Sequence, residues 1–285
     1  MREVGFDAAL GRLAGLRNDG RGPRVLALHG WLDNAASFLP MAPYLRDLDL
    51  VALDLPGHGR SAHLSAGAEY SFSVAIAAVL DAADALGWDR FHLLGHSMGA
   101  GIASLVASAC PDRIERLVAI EMLGALAEPP TQAAARLREA VAAQRTIADK
   151  RLRVFPDIDT AVRARLHAGR VPGSGLDAER LRLLVERGVR AVPGGFVWSS
   201  DPRLTLPSLM RYTQAQVDDV IAAIACPTLA VFADPAQPYL PDEERRRRTA
   251  LLPQGRLIAL PGGHHLHMQQ PEPVAAAIAD FFAGE

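Results

Sequence analysis

Short runs of apolar residues alternate with longer segments of mixed character over the first 125 residues of the chain. Runs of this length, bounded by polar residues, glycine or proline, are typical of strands buried on both faces of a parallel sheet. They lie at residues 25–28, 50–53, 91–94 and 117–120. Apolar residues recur at helical spacing between them, in residues 35–45, 74–86 and 100–109. This alternation predicts an α/β fold, with a mostly parallel sheet and helices on both faces.

The pattern changes after this first part. Residues 125–213 look helical without buried strands, and strand-like and helix-like segments return only after them. The predicted helices of the middle part span residues 132–153, 158–168 and 178–189, and the later elements are strands at 228–232 and 256–260 and a closing helix at 273–282. We therefore expect a core made of residues 1–124 and 214–285, interrupted by a helical cap at 125–213. Residues 3–16 are expected to add an antiparallel hairpin at the edge of the sheet.

Composition and charge exclude several classes of partner. The chain has 285 residues, of which 49% are hydrophobic and 22% charged, as in ordinary soluble globular proteins. A formal net charge of −2 suggests no polyanion, so no nucleic-acid partner is expected. The arginine run 245–248 follows three acidic residues and is interpreted as a solvated helix face.

The chain carries no apparent targeting or membrane segment. Its first residues lack the charged-then-apolar pattern of a signal peptide, and no apolar run reaches eighteen residues. Cys110 and Cys226 lie far apart and are expected to be reduced thiols. We therefore expect a cytoplasmic protein without a membrane span.

A glycine-flanked serine is the first candidate for chemistry. The pentapeptide 95–99 reads Gly-His-Ser-Met-Gly, directly after a predicted strand and before a predicted helix. This G-x-S-x-G pattern is typical of a nucleophile elbow, in which a sharp turn lifts the serine hydroxyl above a sheet. Larger side chains would crowd so tight a turn. Ser97 is therefore the predicted nucleophile.

A serine hydroxyl needs a base to take its proton. His264 follows the last predicted strand and precedes the closing helix, at the edge of the sheet where a base can reach the serine. His265 and His267 are alternatives for the same role. Such a cluster can also bind metal, but no second group of ligands is visible in the sequence, so we expect no metal.

An oxyanion intermediate needs backbone N–H groups aimed at the developing charge. Met98, the residue after the nucleophile, is expected to supply one of them. Trp31, in the loop formed by residues 29–34 after the first central strand, is expected to supply the other and to set its indole over the pocket.

Four motifs together resemble those of the α/β-hydrolase superfamily. They are residues 29–31 (His-Gly-Trp), 54–61 (Asp-Leu-Pro-Gly-His-Gly-Arg-Ser), 95–99 and 263–264 (Gly-His), in the order and spacing of that superfamily. The stretches 29–34 and 200–204 are similar to the serine hydrolase-like proteins. The resemblance implies an α/β-hydrolase fold, a cofactor-free hydrolase activity and a helical cap over the serine. It also implies that residues 54–61 form a structural turn beside the elbow.

The catalytic acid departs from the usual pattern of the superfamily. Asp234 follows its strand too soon, and Gln237 stands near the place where the carboxylate is expected. Glu121, directly after another strand, resembles the acid that haloalkane dehalogenases carry at that point. Dehalogenation and epoxide hydrolysis use an aspartate nucleophile in this fold, which Ser97 does not provide. We predict that Glu121 is the acid, with Asp234 as the alternative.

The predicted function is hydrolysis of a small to medium apolar ester through an acyl-enzyme. The substrate class rests on analogy with capped members of the superfamily. A hydrolase of C–C bonds acting on a diketone would use the same triad and stays open. A ligand receptor built on a slow hydrolase and a binding module without activity are further alternatives. The natural substrate and the oligomeric state stay open.

Overall fold

The computed structural model describes residues 1–18, 20–147, 152–168 and 175–284. Within these ranges, eight strands form one sheet in the order β1-β2-β4-β3-β5-β6-β9-β10, and two more form a separate hairpin. The strands are β1 (Arg2–Phe6), β2 (Leu13–Arg17), β3 (Arg24–Leu28), β4 (Asp49–Asp54), β5 (Phe91–His96), β6 (Ile114–Ile120), β7 (Val189–Val192), β8 (Gly195–Trp198), β9 (Thr228–Asp234) and β10 (Gly255–Pro261). All pairs from β4 to β10 across the large sheet are parallel, whereas β1–β2 and β2–β4 are antiparallel.

Helices cover both faces of this sheet. The α-helices of the described ranges are α1 (Phe72–Ala85), α2 (Met98–Ala109), α3 (Ala133–Thr146), α4 (Ile158–Ala168), α5 (Ala178–Gly188), α6 (Gln214–Ala222), α7 (Asp242–Ala250), α8 (Leu266–Gln269) and α9 (Pro271–Ala283). Along β3, Leu26 and Leu28 pack into a core shared with α1 and α2, whereas Val25 and Ala27 pack into a core shared with α9. The strands are therefore buried on both faces, which confirms the predicted α/β class.

The predicted edge hairpin is present as β1 and β2, but the predicted helix at residues 35–45 is wrong. Two short 3-10 helices, Ala35–Phe38 and Ala42–Tyr44, occupy this stretch. Pro40 and Pro43 lack the N–H that an α-helix needs. The stretch therefore forms no continuous α-helix, although its apolar residues recur at helical spacing.

The segment that interrupts the core contains α3, α4 and α5 and also the hairpin of β7 and β8, which the sequence analysis missed. Pro193 and Gly194 form the turn between these strands and Gly195 begins β8; both glycines have positive φ, 88° and 141°. Apolar residues on either side of a Pro-Gly-Gly turn are a hairpin signal. Of the helix predicted at 132–153, α3 accounts for 133–146, and residues 148–151 lie outside the described ranges.

A buried ion pair joins this segment to the sheet. Arg187 of α5 donates from Nε to both carboxylate oxygens of Asp54, at 3.0 Å each, and from Nη1 to Glu3 at 2.7 Å. Asp54 also accepts the backbone N–H groups of Ala35 and Arg60. Removing one partner of a buried pair leaves an uncompensated charge, so Asp54 is a structural anchor.

The arginine run is not a solvated face throughout, and that interpretation is wrong for two of its residues. Arg245 and Arg248 are 2% and 3% exposed, three positions apart on the inner face of α7. Arg245 donates to the carbonyls of Leu240 and Ala233, while Arg248 donates to carbonyls of the loop that follows β6. The guanidinium fork can satisfy several acceptors, which makes this burial possible.

Two further features concern the cysteines and the membrane. Cys110 and Cys226 are both free thiols. In the described ranges, none of the helices has the length and apolar character needed to cross a bilayer.

Candidate active site

Ser97 stands at a strained turn between β5 and α2. Its backbone has φ 52° and ψ −118°, in a region that a side chain other than glycine rarely adopts. A Cβ on Gly95 would lie 2.5 Å from the nitrogen of Ala100, and one on Gly99 would collide with the carbonyl of Leu28. Both flanking glycines are therefore required for this turn, as the pentapeptide pattern predicts.

His264 lies in the loop between β10 and α8. Its Nδ1 is 2.7 Å from the hydroxyl of Tyr239 and 3.6 Å from Oε2 of Glu121. Because Nδ1 faces these two groups, Nε2 is the nitrogen that remains for the predicted role as base. The sequence analysis did not find Tyr239, since a single tyrosine in a loop carries no motif.

A second contact ties the histidine loop to the serine turn. Nε2 of His96, the residue before Ser97, is 2.8 Å from the backbone carbonyl of His264. A carbonyl can only accept a hydrogen bond, so His96 donates from Nε2 and keeps a lone pair on Nδ1. The loops that carry Ser97 and His264 are thus held together directly.

Glu121 follows β6 in a left-handed backbone conformation, with φ 59°, and is buried. Its Oε1 accepts the N–H of Ala233 at 2.6 Å and lies 3.6 Å from the Arg245 guanidinium. These contacts fix the carboxylate and leave Oε2 facing His264. Asp234, in contrast, ends β9 with an exposed side chain, and the carboxylate that His264 contacts is that of Glu121.

The two expected oxyanion donors lie in suitable backbone contexts. Met98 is the first residue of α2, where a helix has no internal acceptor for the N–H. Trp31 precedes Leu32, whose φ of 58° turns the loop sharply. Within the described ranges, neither backbone N–H donates to a protein carbonyl. The Trp31 indole is 55% exposed, and its Nε1 donates to the carbonyl of Leu204 at 2.9 Å.

His29 is a structural histidine rather than a second base. Its Nε2 accepts the backbone N–H of Leu55 at 3.1 Å. Burial lowers the pKa of His29 to about 4, so the ring is neutral near pH 7 and can accept that hydrogen bond.

Asp33 connects this site to the interrupting segment. It accepts from Arg165 of α4 at 2.5 Å and lies 3.1 Å from Nε2 of His265. Burial alone would raise the pKa of the Asp33 carboxyl, but His265 and Arg165 outweigh it and hold that pKa well below its usual range. Asp33 is therefore ionised. His267, the other histidine that the sequence offers, is buried with Nε2 2.7 Å from Oγ of Ser37, away from the base position.

A cavity of about 460 Å³ lies between the loop formed by residues 29–34 and the interrupting segment. Its walls are mainly apolar, and α4 and α5 supply the largest share of them. They include Leu166, Leu176, Leu181, Leu184, Phe155 and Trp198, together with Trp31, Asp33 and His265. Neither Ser97 nor His264 lines the cavity, whereas Trp31 and His265 do.

Comparison with known proteins identifies the family. A family model described as the alpha/beta hydrolase fold matches residues 23–169. The chain therefore belongs to the α/β-hydrolase family, and this membership supports a hydrolase.

Comparison with individual proteins shows which members of the family the chain is similar to. A serine hydrolase-like protein of Danio rerio is 30% identical over 270 residues, which cover 91% of this chain and 81% of that protein. The crystal structure of a hypothetical protein from Pseudomonas aeruginosa PAO1 is 41% identical with a TM-score of 0.88, and 99% of each chain is covered. A thioesterase domain from the curacin biosynthetic pathway is 27% identical with a TM-score of 0.82, again over 99% of each chain. The predicted resemblance to serine hydrolase-like proteins is confirmed.

Proposed function

We propose that this hydrolase cleaves small to medium apolar carboxylic esters through an acyl-enzyme. Ser97 is the nucleophile, His264 the base and Glu121 the acid, and the backbone N–H groups of Trp31 and Met98 form the oxyanion hole. The observation that carries the proposal is the position of Glu121 and His264, linked through His96 to the strained turn of Ser97.

The reaction takes place in two half-cycles. Oγ of Ser97 attacks the ester carbonyl and its proton passes to Nε2 of His264, while the N–H groups of Met98 and Trp31 stabilise the oxyanion. Collapse of this intermediate expels the alcohol, which takes the proton from His264. Water then attacks the acyl group and gives its proton to His264, and Ser97 leaves with that proton as the acid product forms. The Glu121 carboxylate orients the ring of His264 and stabilises the imidazolium.

The apolar cavity supports the proposed substrate class. We propose that residues 125–213 act as a cap over a core of residues 1–124 and 214–285, because α4 and α5 supply much of the apolar lining. Apolar walls favour an acyl chain over a polar group. A thioester offers the same acyl chemistry, and the similarity to a thioesterase domain makes acyl thioesters a second class to test.

The test is covalent labelling with a fluorophosphonate, followed by peptide mapping and a series of esters and thioesters of increasing acyl length. We expect label on Ser97 and multiple turnovers. Ser97→Ala should lose both, with kcat reduced on the order of 10⁶-fold. Ser65→Ala, at an exposed serine, is the matched control. Activity on diketones but not on esters would favour the C–C bond hydrolase, and labelling with a single turnover would favour the receptor.

A further inference from the structure

Three potential metal ligands from distant parts of the chain meet beside the candidate active site. Asp33, His96 and His265 each offer one ligand atom, and these atoms lie within 4.8 Å of one another. The sequence alone predicts no metal, because it shows no partner for the histidines that follow β10. The fold supplies that partner from the loop after β3 and from the end of β5.

His96 provides an observation that points to a ligand. Its side chain is fully buried, and its Nδ1 has no hydrogen-bond partner. Since Nε2 donates to the carbonyl of His264, Nδ1 carries a lone pair. A metal-binding histidine typically donates its other ring N–H to a carbonyl or carboxylate in this way.

The lone pair of His96 is aimed at the same space as the Asp33 carboxylate. A Cβ on Gly30 would lie 3.0 Å from Nδ1 of His96 and 3.3 Å from Oδ2 of Asp33, so both atoms face the open side of this glycine. Nε2 of His265 lies 3.1 Å from the same Oδ2. The other oxygen, Oδ1, is held by Arg165, which orients the carboxylate but also places a cation nearby.

The geometry points to a binding site for one divalent transition-metal ion of the zinc class, held by Oδ2 of Asp33, Nδ1 of His96 and Nε2 of His265. Two imidazoles and a carboxylate suit Zn²⁺ or Ni²⁺ rather than Mg²⁺ or Ca²⁺, which prefer oxygen ligands. Ligands about 2.0–2.1 Å from a tetrahedral Zn²⁺ are roughly 3.3 Å apart. Nε2 of His265 and Oδ2 of Asp33 are 3.1 Å apart, which is close to this value. All three ligand atoms lie within 4.8 Å of one another, so Nδ1 of His96 needs to approach the other two by roughly 1–1.5 Å.

An ion can reach the site and would affect the reaction there. Asp33 and His265 both line the cavity, which provides an entry path. The ring of His264 lies 5.1 Å from that of His265 and 4.9 Å from that of His96, centroid to centroid. Because Asp33 and His265 line the cavity proposed to hold the acyl chain, a bound ion and the ligand in its open fourth position take up space there. This second step rests on the proposed function and makes the ion an inhibitor, whereas the binding site itself does not depend on it.

The binding test uses the full chain, freed of metal by a chelator and titrated with Zn²⁺ and with Co²⁺. We expect one ion per chain and the visible bands of tetrahedral cobalt. Asp33→Asn and His265→Gln should each weaken binding by roughly 100-fold. His167→Gln, at an exposed histidine of α4, and His264→Gln should bind as the parent does. Thermal melting of each variant checks that it folds.

The possible outcomes test the metal-binding site separately from the inhibition by the bound ion. Binding that is equally weak in the parent and in His265→Gln would overturn the site, as would loss of binding in His264→Gln. If the parent binds one ion but its ester hydrolysis is unchanged at saturating Zn²⁺, the site stands and the inhibition falls. If no ester is hydrolysed at all, the proposed function fails, while the cobalt spectrum still reports on the metal site.

Discussion

The hydroxyl of Tyr239 is closer to Nδ1 of His264 than the carboxylate of Glu121 is, at 2.7 Å against 3.6 Å. Burial, together with the negative charge of Glu121, raises the pKa of Tyr239, so its hydroxyl stays protonated. The carboxylate favours a proton on Nδ1, and the tyrosine oxygen then accepts from that N–H. In the proposed mechanism Tyr239 is therefore a positioning residue that acts beside Glu121 and leaves Nε2 of His264 free to be the base.

Tyr239→Phe should lower kcat on an ester by about tenfold or less, because one hydrogen bond to a neutral group contributes only about 1 kcal/mol and Glu121 remains. KM should change little, since the lost contact is with His264 rather than with substrate. Steady-state kinetics over a range of pH measures this, with the exposed Tyr44→Phe as control. A rise in kcat would mean that Tyr239 competes with Glu121 instead of supporting it.

Glu121→Gln should reduce kcat by roughly 10⁴-fold, whereas Asp234→Asn should stay within about tenfold of the parent. The reason is that Glu121 is buried and faces His264, while Asp234 is exposed at the end of its strand. The measurement is kcat for both variants at matched thermal stability. The opposite ranking would assign the acid to Asp234.

Ala164→Phe should shift substrate preference toward shorter acyl chains. Ala164 of α4 lines the cavity, and a ring there takes up space that an acyl chain would fill. We expect kcat/KM for the longest accepted ester to fall by about tenfold relative to the shortest, of the order that a few lost apolar contacts produce. Ala142→Phe, at an exposed position of α3, controls for a general effect of the added ring. Equal losses of kcat/KM for short and long esters would show that the cavity does not bind the acyl chain.

The sequence predicted the parts of this molecule that depend on local chemistry. The glycines at positions 95 and 99 signal the turn of Ser97 because only a residue without Cβ fits there. The apolar runs predicted the central strands because a strand buried on both faces is apolar throughout. Such signals lie within a few residues of each other and are readable without the fold.

What the sequence did not predict depends on contacts across the chain. Arg245 reads as one member of a charged run, and only the contacts of its side chain with the Ala233 carbonyl and with Glu121 show where it is buried. Tyr239 and the group formed by Asp33, His96 and His265 have no spacing that relates them. Side chains that meet through tertiary structure leave no periodic pattern, so they emerge only from the fold.

Two buried histidines, neutral in the folded chain, are expected to lower the free energy of unfolding at acid pH. His29 binds its proton only near pH 4 in the folded chain, because burial opposes the charged form, and its usual pKa is 6.5. His58, whose ring centroid lies 4.9 Å from that of His29, has its pKa lowered to about 3, first by burial and then by His29. Between these lowered pKa values and pH 6.5, His29 and His58 bind a proton in the unfolded chain but not in the folded chain. Stability is therefore fully present above about pH 6.5 and decreases as the pH falls toward 4.

Each such histidine should contribute a slope of about 1.4 kcal/mol per pH unit to the free energy of unfolding in this window. His29→Gln keeps an acceptor for the Leu55 N–H but cannot titrate, so its slope should be shallower by about that amount per unit. Urea unfolding followed by tryptophan fluorescence at several pH values from 4.5 to 7 measures it. His167→Gln, at an exposed histidine, should keep the parent slope. An unchanged slope in His29→Gln would show that His29 is protonated as readily in the folded chain as in the unfolded one.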